Sequence, residues 1–133
     1  MTNTLLNART APSFTDFPVP VWKRGGLTGR QVNAVRALVL RDLKERCSVP
    51  RLAAVAGLSV AHFSRAFHRT CGMPPMKYVR HVKIEAACGL ILRDAFPLSE
   101  IAVRCGFSDQ PHFCRVFRAI TGDPPTHWRK KHS

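Results

Sequence analysis

The sequence has 133 residues and carries 21 Lys and Arg against 8 Asp and Glu, a formal net charge of +13. Such an excess predicts attraction to a polyanion, namely DNA, RNA or an anionic membrane surface. The length allows one domain or two very small ones. No apolar run approaches the roughly 18 residues of a membrane-spanning helix, and the first ten residues lack the pattern of a secretory signal.

The five cysteines are odd in number and show no C-x-x-C spacing. This pattern favours reduced thiols in the cytoplasm over a disulfide framework. Cys88 and Cys105 are expected on apolar helix faces, where a thiol behaves as a small hydrophobic group. Cys114 is the only cysteine placed to act as a redox sensor. We expect neither a metal nor a cofactor.

The N-terminal part is predicted to be a tail followed by a helix. Residues 1–26 combine prolines and glycines with small polar residues, which predicts a poorly ordered tail and a folded domain over residues 27–133. Residues 28–46 then carry Val32, Val35, Val39 and Leu43 at helical spacing. An amphipathic helix that braces the next unit is predicted there.

Residues 49–72 are predicted to form a helix-turn-helix. Pro50 suits the start of a short helix, Gly57 the turn after it, and Ser59 the N-cap of a second helix. The second helix is expected to bury Phe63, Ala66, Phe67 and Thr70 and to expose Ala61, Arg65 and His68.

Pro74 and Pro75 open a predicted connecting helix over residues 75–94. About 20 residues at 1.5 Å per residue give a length of about 30 Å. This length is close to one turn of DNA, about 34 Å, which is the separation of successive major-groove segments on one side of the duplex.

Residues 98–122 are predicted to form a second helix-turn-helix. Its first helix has an apolar face ending at Cys105, Gly106 supplies the left-handed turn, and Ser108 is the expected N-cap of the next helix. In that helix the expected buried residues are Phe113, Val116, Phe117 and Ile120, and the expected exposed residues are Pro111, Arg115 and Arg118.

The two predicted units are copies of one another. Residues 52–59 align with 101–108 at an offset of 49, and residues 62–78 align with 112–128 at an offset of 50. Identical pairs include Gly57 and Gly106, and Ser59 and Ser108. Two copies are too few for a solenoid. An all-α fold with two helix-turn-helix subdomains joined by a long connecting helix is therefore predicted.

The second helix of a helix-turn-helix is the recognition helix, and the repeat places the same residue types on the outside of this helix in both units. Arg65 and Arg115 occupy equivalent positions opposite the buried face, where contact with a base or a phosphate competes with simple solvation. His62 and His112 occupy equivalent flanks and suit phosphate or base contact. Arg118 is placed to meet phosphate.

Two other classes of function compete with sequence-specific DNA binding. An enzyme is not expected, because no Ser-His-Asp arrangement, glycine-rich phosphate loop or paired carboxylates are evident. A non-specific architectural or RNA-binding protein would be held by charge alone. Arginines on the exposed faces of recognition helices favour sequence-specific binding, and comparing specific with random DNA would separate the two.

The motif G-F-S-D-x-x-x-F-x-R-x-F-R-x-x-x-G-x-x-P, over residues 106–125, resembles the signature of the AraC/XylS transcription regulators. With the first repeat and the connecting helix, the resemblance covers about residues 30–130. It implies an all-α domain that binds promoter DNA and affects transcription, often by contacting RNA polymerase. The expected location is the cytoplasm, in association with the bacterial nucleoid.

The resemblance also implies which residues contact DNA. Carried over by position, the base-contacting residues are Ala61, Ser64 and Arg65 in the first recognition helix and Gln110, Pro111, His112 and Arg115 in the second. Ala61 can offer only a methyl group. Arg129 matches a position expected to contact the DNA backbone. Because one chain carries both recognition helices, a monomer is expected to bind double-stranded DNA, without a membrane partner.

Overall fold

The computed structural model describes residues 20–22 and 24–132. Within them the chain forms α1 (Gly29–Arg41), α2 (Val49–Ala56), α3 (Val60–Cys71), α4 (Pro75–Arg93), α5 (Leu98–Arg104), α6 (Gln110–Thr121) and α7 (Pro125–His132). These residues contain no strand, so the predicted all-α class is confirmed. Of the predicted tail, residues 1–19 and residue 23 lie outside the described part.

The described residues divide into two compact units at residues 82 and 83, inside α4. The N-terminal unit contains α1, α2, α3 and the first part of α4. The C-terminal unit contains the rest of α4 with α5, α6 and α7. Helix α4 is within one residue of the predicted connecting helix at its C-terminal end. No helix of the described part has the length and apolarity that crossing a membrane requires.

Helix α1 of the N-terminal unit is shorter than predicted. It begins with a capping box between Thr28 and Gln31 and ends at Arg41, whereas the sequence predicted a helix to about residue 46. Asp42 follows the helix, and its carboxylate lies 2.5 Å from the guanidinium of Arg51 on α2. This cross-helix pair and the turn that follows Asp42 account for the early end.

The turn between α2 and α3 has the predicted chemistry. Gly57 has φ of 74°, and the next amide, that of Leu58, donates to the carbonyl of Ala53 at 3.0 Å. This pattern is the Schellman closure of a helix. The hydroxyl of Ser59 then accepts from the amide of His62 at 3.2 Å, which caps α3 as predicted. Sequence and structure agree throughout this turn.

The turn between α5 and α6 repeats this geometry and then departs from the prediction. Gly106 has φ of 82°, and the amide of Phe107 donates to the carbonyl of Ala102 at 3.0 Å. The N-cap of α6 is Asp109, whose carboxylate accepts from the amide of His112 at 2.7 Å. The predicted cap, Ser108, is wrong. A capping oxygen serves the amide two or three residues on, and Ser108 lies four residues before His112.

Each unit has an aromatic core built from equivalent residues. In the N-terminal unit the ring of Phe67 lies 5.5 Å from that of Phe63 and 5.1 Å from that of Tyr78. In the C-terminal unit the ring of Phe117 lies 5.6 Å from that of Phe113 and 5.7 Å from that of Trp128. All four phenylalanines are fully buried, as predicted. Val116, which was predicted to be buried on the same face of α6, is only half-buried.

Helix α7 was not predicted, although the repeat contains the signal for it. Pro125 opens α7 as Pro75 opens α4, and these prolines are equivalent in the two copies. The preceding carbonyls, of Pro74 and Pro124, accept from the amides of Tyr78 and Trp128 at 3.2 and 2.8 Å. A proline tolerates the first turn of a helix because its missing N–H would have no partner there.

Candidate nucleic-acid interface

The outward faces of α3 and α6 present the side chains that the sequence predicted. On α3, Ala61, His62 and Arg65 are exposed, and Ser64 is half-buried. On α6 the exposed candidates are Gln110, Pro111, Arg115 and Arg118, whereas His112 is half-buried. Each helix therefore buries its aromatic stripe and turns polar and basic groups to solvent, with the candidate residues of each helix on its own unit.

The outward arginines make no hydrogen bond or ion pair with the part of the protein that the structure describes. Among the described residues, the guanidinium groups of Arg65, Arg115 and Arg118 have neither a hydrogen-bond partner nor an ion-pair partner. Neither helix contains an Asp or Glu. Each arginine can thus offer its donors to an anion or a base edge without first giving up an internal contact.

The carboxylates of the described residues have partners away from these arginines. Glu100 lies 3.0 Å from Arg104 within α5. Asp123 lies between Lys131 at 3.1 Å and His127 at 3.0 Å, and the hydrogen bond from Lys131 is the main cause that lowers the pKa of the Asp123 carboxyl. Asp109 adjoins a recognition helix, but its carboxylate is used as a cap. The described acids therefore do not neutralise the outward arginines.

The two histidines at equivalent positions differ in their surroundings. The backbone amides of His62 and His112 both donate to the N-cap of their helix. The ring of His112 packs edge-on against Phe107 at 5.5 Å, and its Nδ1 lies 3.4 Å from the hydroxyl of Ser108. The side chain of His62 is exposed. The protein therefore orients the imidazole of His112.

Arg129 is held inside the C-terminal unit. Its Nη1 lies 3.2 Å from the carboxylate of Asp94, the residue that follows α4 with φ of 54°. Its Nε is buried without a hydrogen-bond partner. The side chain is therefore engaged with Asp94, unlike the outward arginines of α3 and α6. Contact of Arg129 with a DNA backbone stays a prediction.

Two further residues of α3 belong to this surface. His68 and Arg69 are exposed and line one open depression together with Ser64 and Arg65. His68 is equivalent to Arg118 at the offset of 50, so the repeat contained the signal for its position. Nothing in the repeat indicated Arg69, because its equivalent is Ala119.

The thiols are poorly suited to redox chemistry. Burial raises the pKa of Cys71 to about 11 and that of Cys105 to about 12, and it also raises the pKa of Cys88. Cys114, the predicted candidate for a redox sensor, is half-buried, and burial raises its pKa too. A redox-sensing thiol needs a lowered pKa and an accessible sulfur. The environment of Cys114 therefore argues against this role.

Comparison with protein families and curated sequences gives consistent matches. A family described as a helix-turn-helix domain matches residues 52–131. The probable transcriptional regulator LumQ of Photobacterium leiognathi is 36% identical over 89 residues, covering 67% of this chain and 36% of LumQ. The MmsAB operon regulatory protein of Pseudomonas aeruginosa is 28% identical over 100 residues, covering 75% and 33%. The chain thus spans about a third of the length of these relatives.

Solved structures with the same fold include an AraC-type transcriptional regulator from Chromobacterium violaceum. It aligns with a TM-score of 0.72 at 24% identity, covering 78% of this chain and 93% of that one. The DNA-binding domain of the global transcriptional factor AdpA, solved with a target DNA, aligns with a TM-score of 0.67 at 29% identity, covering 76% and 91%. The likeness extends over nearly the whole of each solved domain.

Proposed function

This chain belongs to the AraC-type helix-turn-helix family, and from that premise we propose that it binds promoter DNA in a sequence-specific manner and regulates transcription. One observation carries the proposal. Each of the two recognition helices presents an exposed arginine that has no partner among the described residues, Arg65 on α3 and Arg115 on α6. A solvent-facing guanidinium is suited to the acceptors that guanine presents in the major groove.

The proposed mechanism assigns different contacts to different side chains. Arg65 and Arg115 pair with guanine O6 and N7, and Gln110 pairs with adenine. Arg118 and Arg129 contact phosphate and fix the register of the protein on the duplex. Ala61, Ser64 and Pro111 contribute short-range contacts to base edges, and His62 and His112 contact phosphates or bases beside them. AdpA, whose DNA-binding domain was solved with its target DNA, has the same fold.

We also propose that a single chain binds the site. Both recognition helices belong to one polypeptide, so two major-groove segments can be contacted without a second copy. The net charge of +13 favours association with DNA at any sequence, which brings the protein to the duplex before a specific site is found. Contact with RNA polymerase, implied by the resemblance, would follow binding to the promoter.

The experiment that tests the function is selection of binding sites from a random DNA library by the purified chain. The affinity for the selected duplex is then compared with that for a scrambled duplex at the same salt concentration. We expect a ratio of about a thousand or more, as is typical of sequence-specific proteins. A ratio near one would indicate an architectural protein held by charge alone, and the proposal would then be wrong.

A further inference from the structure

The segment before α1 is bound to the end of the first recognition helix. We call residues 20–22 and 24–27 the N-terminal arm. The amide of Val21 donates to the carbonyl of Thr70 at 2.7 Å, and the amide of Leu27 donates to the hydroxyl of Thr70 at 2.7 Å. The Nε–H of Arg69 donates to the carbonyl of Arg24 at 2.9 Å. The arm is thus fixed to the last turn of α3.

These contacts satisfy groups that the helix leaves without partners. The last four carbonyls of a helix have no amide within it to bind, and the carbonyl of Thr70 is one of them. Thr70 is completely buried, so its polar groups depend on partners from the protein. Gly25, with φ of 81°, forms the turn that presents the carbonyl of Arg24 to Arg69. The arm therefore reinforces the end of α3, where Gly72 closes the helix by donating its amide to the carbonyl of His68 at 2.8 Å.

The second recognition helix provides an internal comparison. At the offset of 50, Arg69 and Thr70 are replaced by Ala119 and Ile120, which cannot make these side-chain hydrogen bonds. Both helices end at a left-handed glycine, Gly72 in α3 and Gly122 in α6, and the further contacts at the end of α6 are local. The hydroxyl of Thr121 lies 2.9 Å from the carbonyl of Phe117 and 3.0 Å from that of Asp123. Among the residues that the structure describes, a distant segment therefore binds the end of α3 but not the end of α6.

The residues that bind the arm adjoin the candidate DNA-contacting face. Arg69 lines the same depression as Ser64, Arg65 and His68. A helix whose last turn frays in the free protein must be ordered when DNA binds, and the cost of that ordering lowers the affinity. The arm removes this cost for the turn that carries His68 and Arg69.

We propose that Val21, Arg24 and Leu27 of the arm, with Arg69 and Thr70 of α3, are positioning residues for the first recognition helix. The arm pre-orders α3 and thereby strengthens the contact with one of the two DNA segments. Contact between α6 and the other segment does not depend on the arm. This inference rests on the proposed function.

The test uses two variants of the full chain, each of which removes one of the two hydrogen bonds between the arm and Thr70. Val21→Pro removes the amide that donates to Thr70, and Val21 is exposed, so the core is unchanged. Thr70→Val removes the hydroxyl while keeping the shape of the side chain. Val21→Ala and Thr70→Ser are the matched controls, because they keep the amide and the hydroxyl. Circular dichroism verifies that each variant is folded.

Affinity is measured on three duplexes: the selected site, and the same site with either contacted segment scrambled. The α3 segment is identified as the one whose base preference is relaxed by Arg65→Ala. We expect Val21→Pro and Thr70→Val to weaken binding to the selected site about three- to tenfold. The same loss is expected when the α6 segment is scrambled, and no loss when the α3 segment is scrambled. Both controls should behave as the wild type.

Two results would overturn the inference. Equal losses on both scrambled duplexes would show that the arm supports the fold as a whole rather than α3. Unchanged affinity on every duplex would show that the arm has no positioning role. Failure of the proposed function is distinguishable from both, because the wild type itself would then bind the selected and scrambled duplexes alike.

Discussion

Arg115 and Arg118 lie on the same exposed side of α6, three residues apart, but we expect them to contribute differently to DNA binding. Arg115 is the equivalent of Arg65 in the other copy, and both have an outward guanidinium with no partner among the described residues. Arg118 is equivalent to His68, so this position carries a different basic side chain in each copy. The repeated arginine is the better candidate for base recognition, and the varied position suits contact with phosphate.

The first prediction separates base recognition from phosphate contact. Arg115→Ala should relax the preference at one base pair by about 1–3 kcal/mol and leave the affinity for random DNA almost unchanged, because a bidentate contact with guanine is lost. Arg118→Ala should weaken specific and random binding alike and reduce the slope of log K against log salt by about one. The measurement is titration of each variant with selected and random duplexes at several salt concentrations.

Equal losses on both duplexes for Arg115→Ala would assign that side chain to phosphate instead. Val103→Ala is a suitable control, since Val103 is exposed on α5, outside the candidate surface. It should leave both affinities unchanged.

The second prediction concerns the thiols. At pH 7, alkylation of the folded protein should modify Cys114 first, because the other four cysteines are buried. Raising the pH to about 9 should speed this reaction, since the thiolate is the reactive form. Cys105 should remain slow there, because burial raises its pKa to about 12. Peptide mass spectrometry at successive times gives the order in which the cysteines are alkylated, and denatured protein is the control. Early modification of Cys105 would contradict the packing of α5.

At the scale of the helices, the two turns differ by one residue. One residue lies between Gly57 and the cap Ser59, whereas two lie between Gly106 and the cap Asp109. The extra residue explains why the offset between the copies changes from 49 to 50. Ser59 and Ser108 are the same residue type but not the same structural position. The structural equivalent of Ser59 is Asp109.

The third prediction tests this assignment of the cap. Asp109→Ala should lower the free energy of unfolding by about 0.5–2 kcal/mol, because the first turn of α6 loses the acceptor for the amide of His112. Ser108→Ala should change it by less than about 0.5 kcal/mol, as is usual for an exposed residue without such a role. Urea denaturation of the two variants gives the comparison. A larger loss for Ser108→Ala would restore serine as the cap.

The fourth prediction concerns the core of the C-terminal unit. Phe117 is fully buried between Phe113 and Trp128. Phe117→Ala should cost about 3–5 kcal/mol through lost burial and the cavity left behind. This is a large part of the roughly 5–15 kcal/mol that stabilises a typical domain. Thermal and urea denaturation measure the loss, and Ala119→Ser on the exposed side of α6 is the control. If the midpoints of thermal and urea unfolding barely change in Phe117→Ala, the buried face of α6 is wrongly assigned.

Features with a local signal in the sequence were predictable. The spacing of the apolar residues predicted α3 and α6, and the glycines predicted the turns. Both features were predictable because they depend on residues that are close together in the sequence. The early end of α1 depends on Arg51 of another helix. The arm depends on hydrogen bonds to Thr70, more than forty residues away. Such contacts leave no periodic pattern. Helix α7 was also predictable, because Pro125 is equivalent in the repeat to Pro75, which opens α4.

Among the candidate site residues, the exposed faces of α3 and α6 followed from helical geometry alone. The engagement of Arg129 with Asp94 could not be predicted in this way. It joins the residue after α4 to a helix that the sequence analysis did not anticipate, and it requires the left-handed backbone of Asp94. The difference between His62 and His112 likewise depends on packing against Phe107, which only the folded unit reveals.

For the whole molecule, the fifth prediction is the form of the binding site. A monomer with two recognition helices should protect roughly 20 base pairs, with two contacted segments about 10 base pairs apart. The two segments should differ in sequence, because the outward residues of α3 and α6 differ. Hydroxyl-radical footprinting and the stoichiometry of the complex provide the measurements. One short contacted segment, or a two-fold symmetric site that holds two chains, would contradict this arrangement.

The duplicated aromatic core has a consequence for how such a protein can change its target during evolution. Each recognition helix is anchored in the core by two buried phenylalanines, Phe63 and Phe67 in α3 and Phe113 and Phe117 in α6. Substitutions on the exposed side therefore cost little stability. Under the proposed function, the bases contacted by one helix can then change together with that helix, while the other helix keeps enough affinity for the DNA site to stay occupied. A gene could thus come under altered control through successive single substitutions, without passing through an unfolded or inactive intermediate.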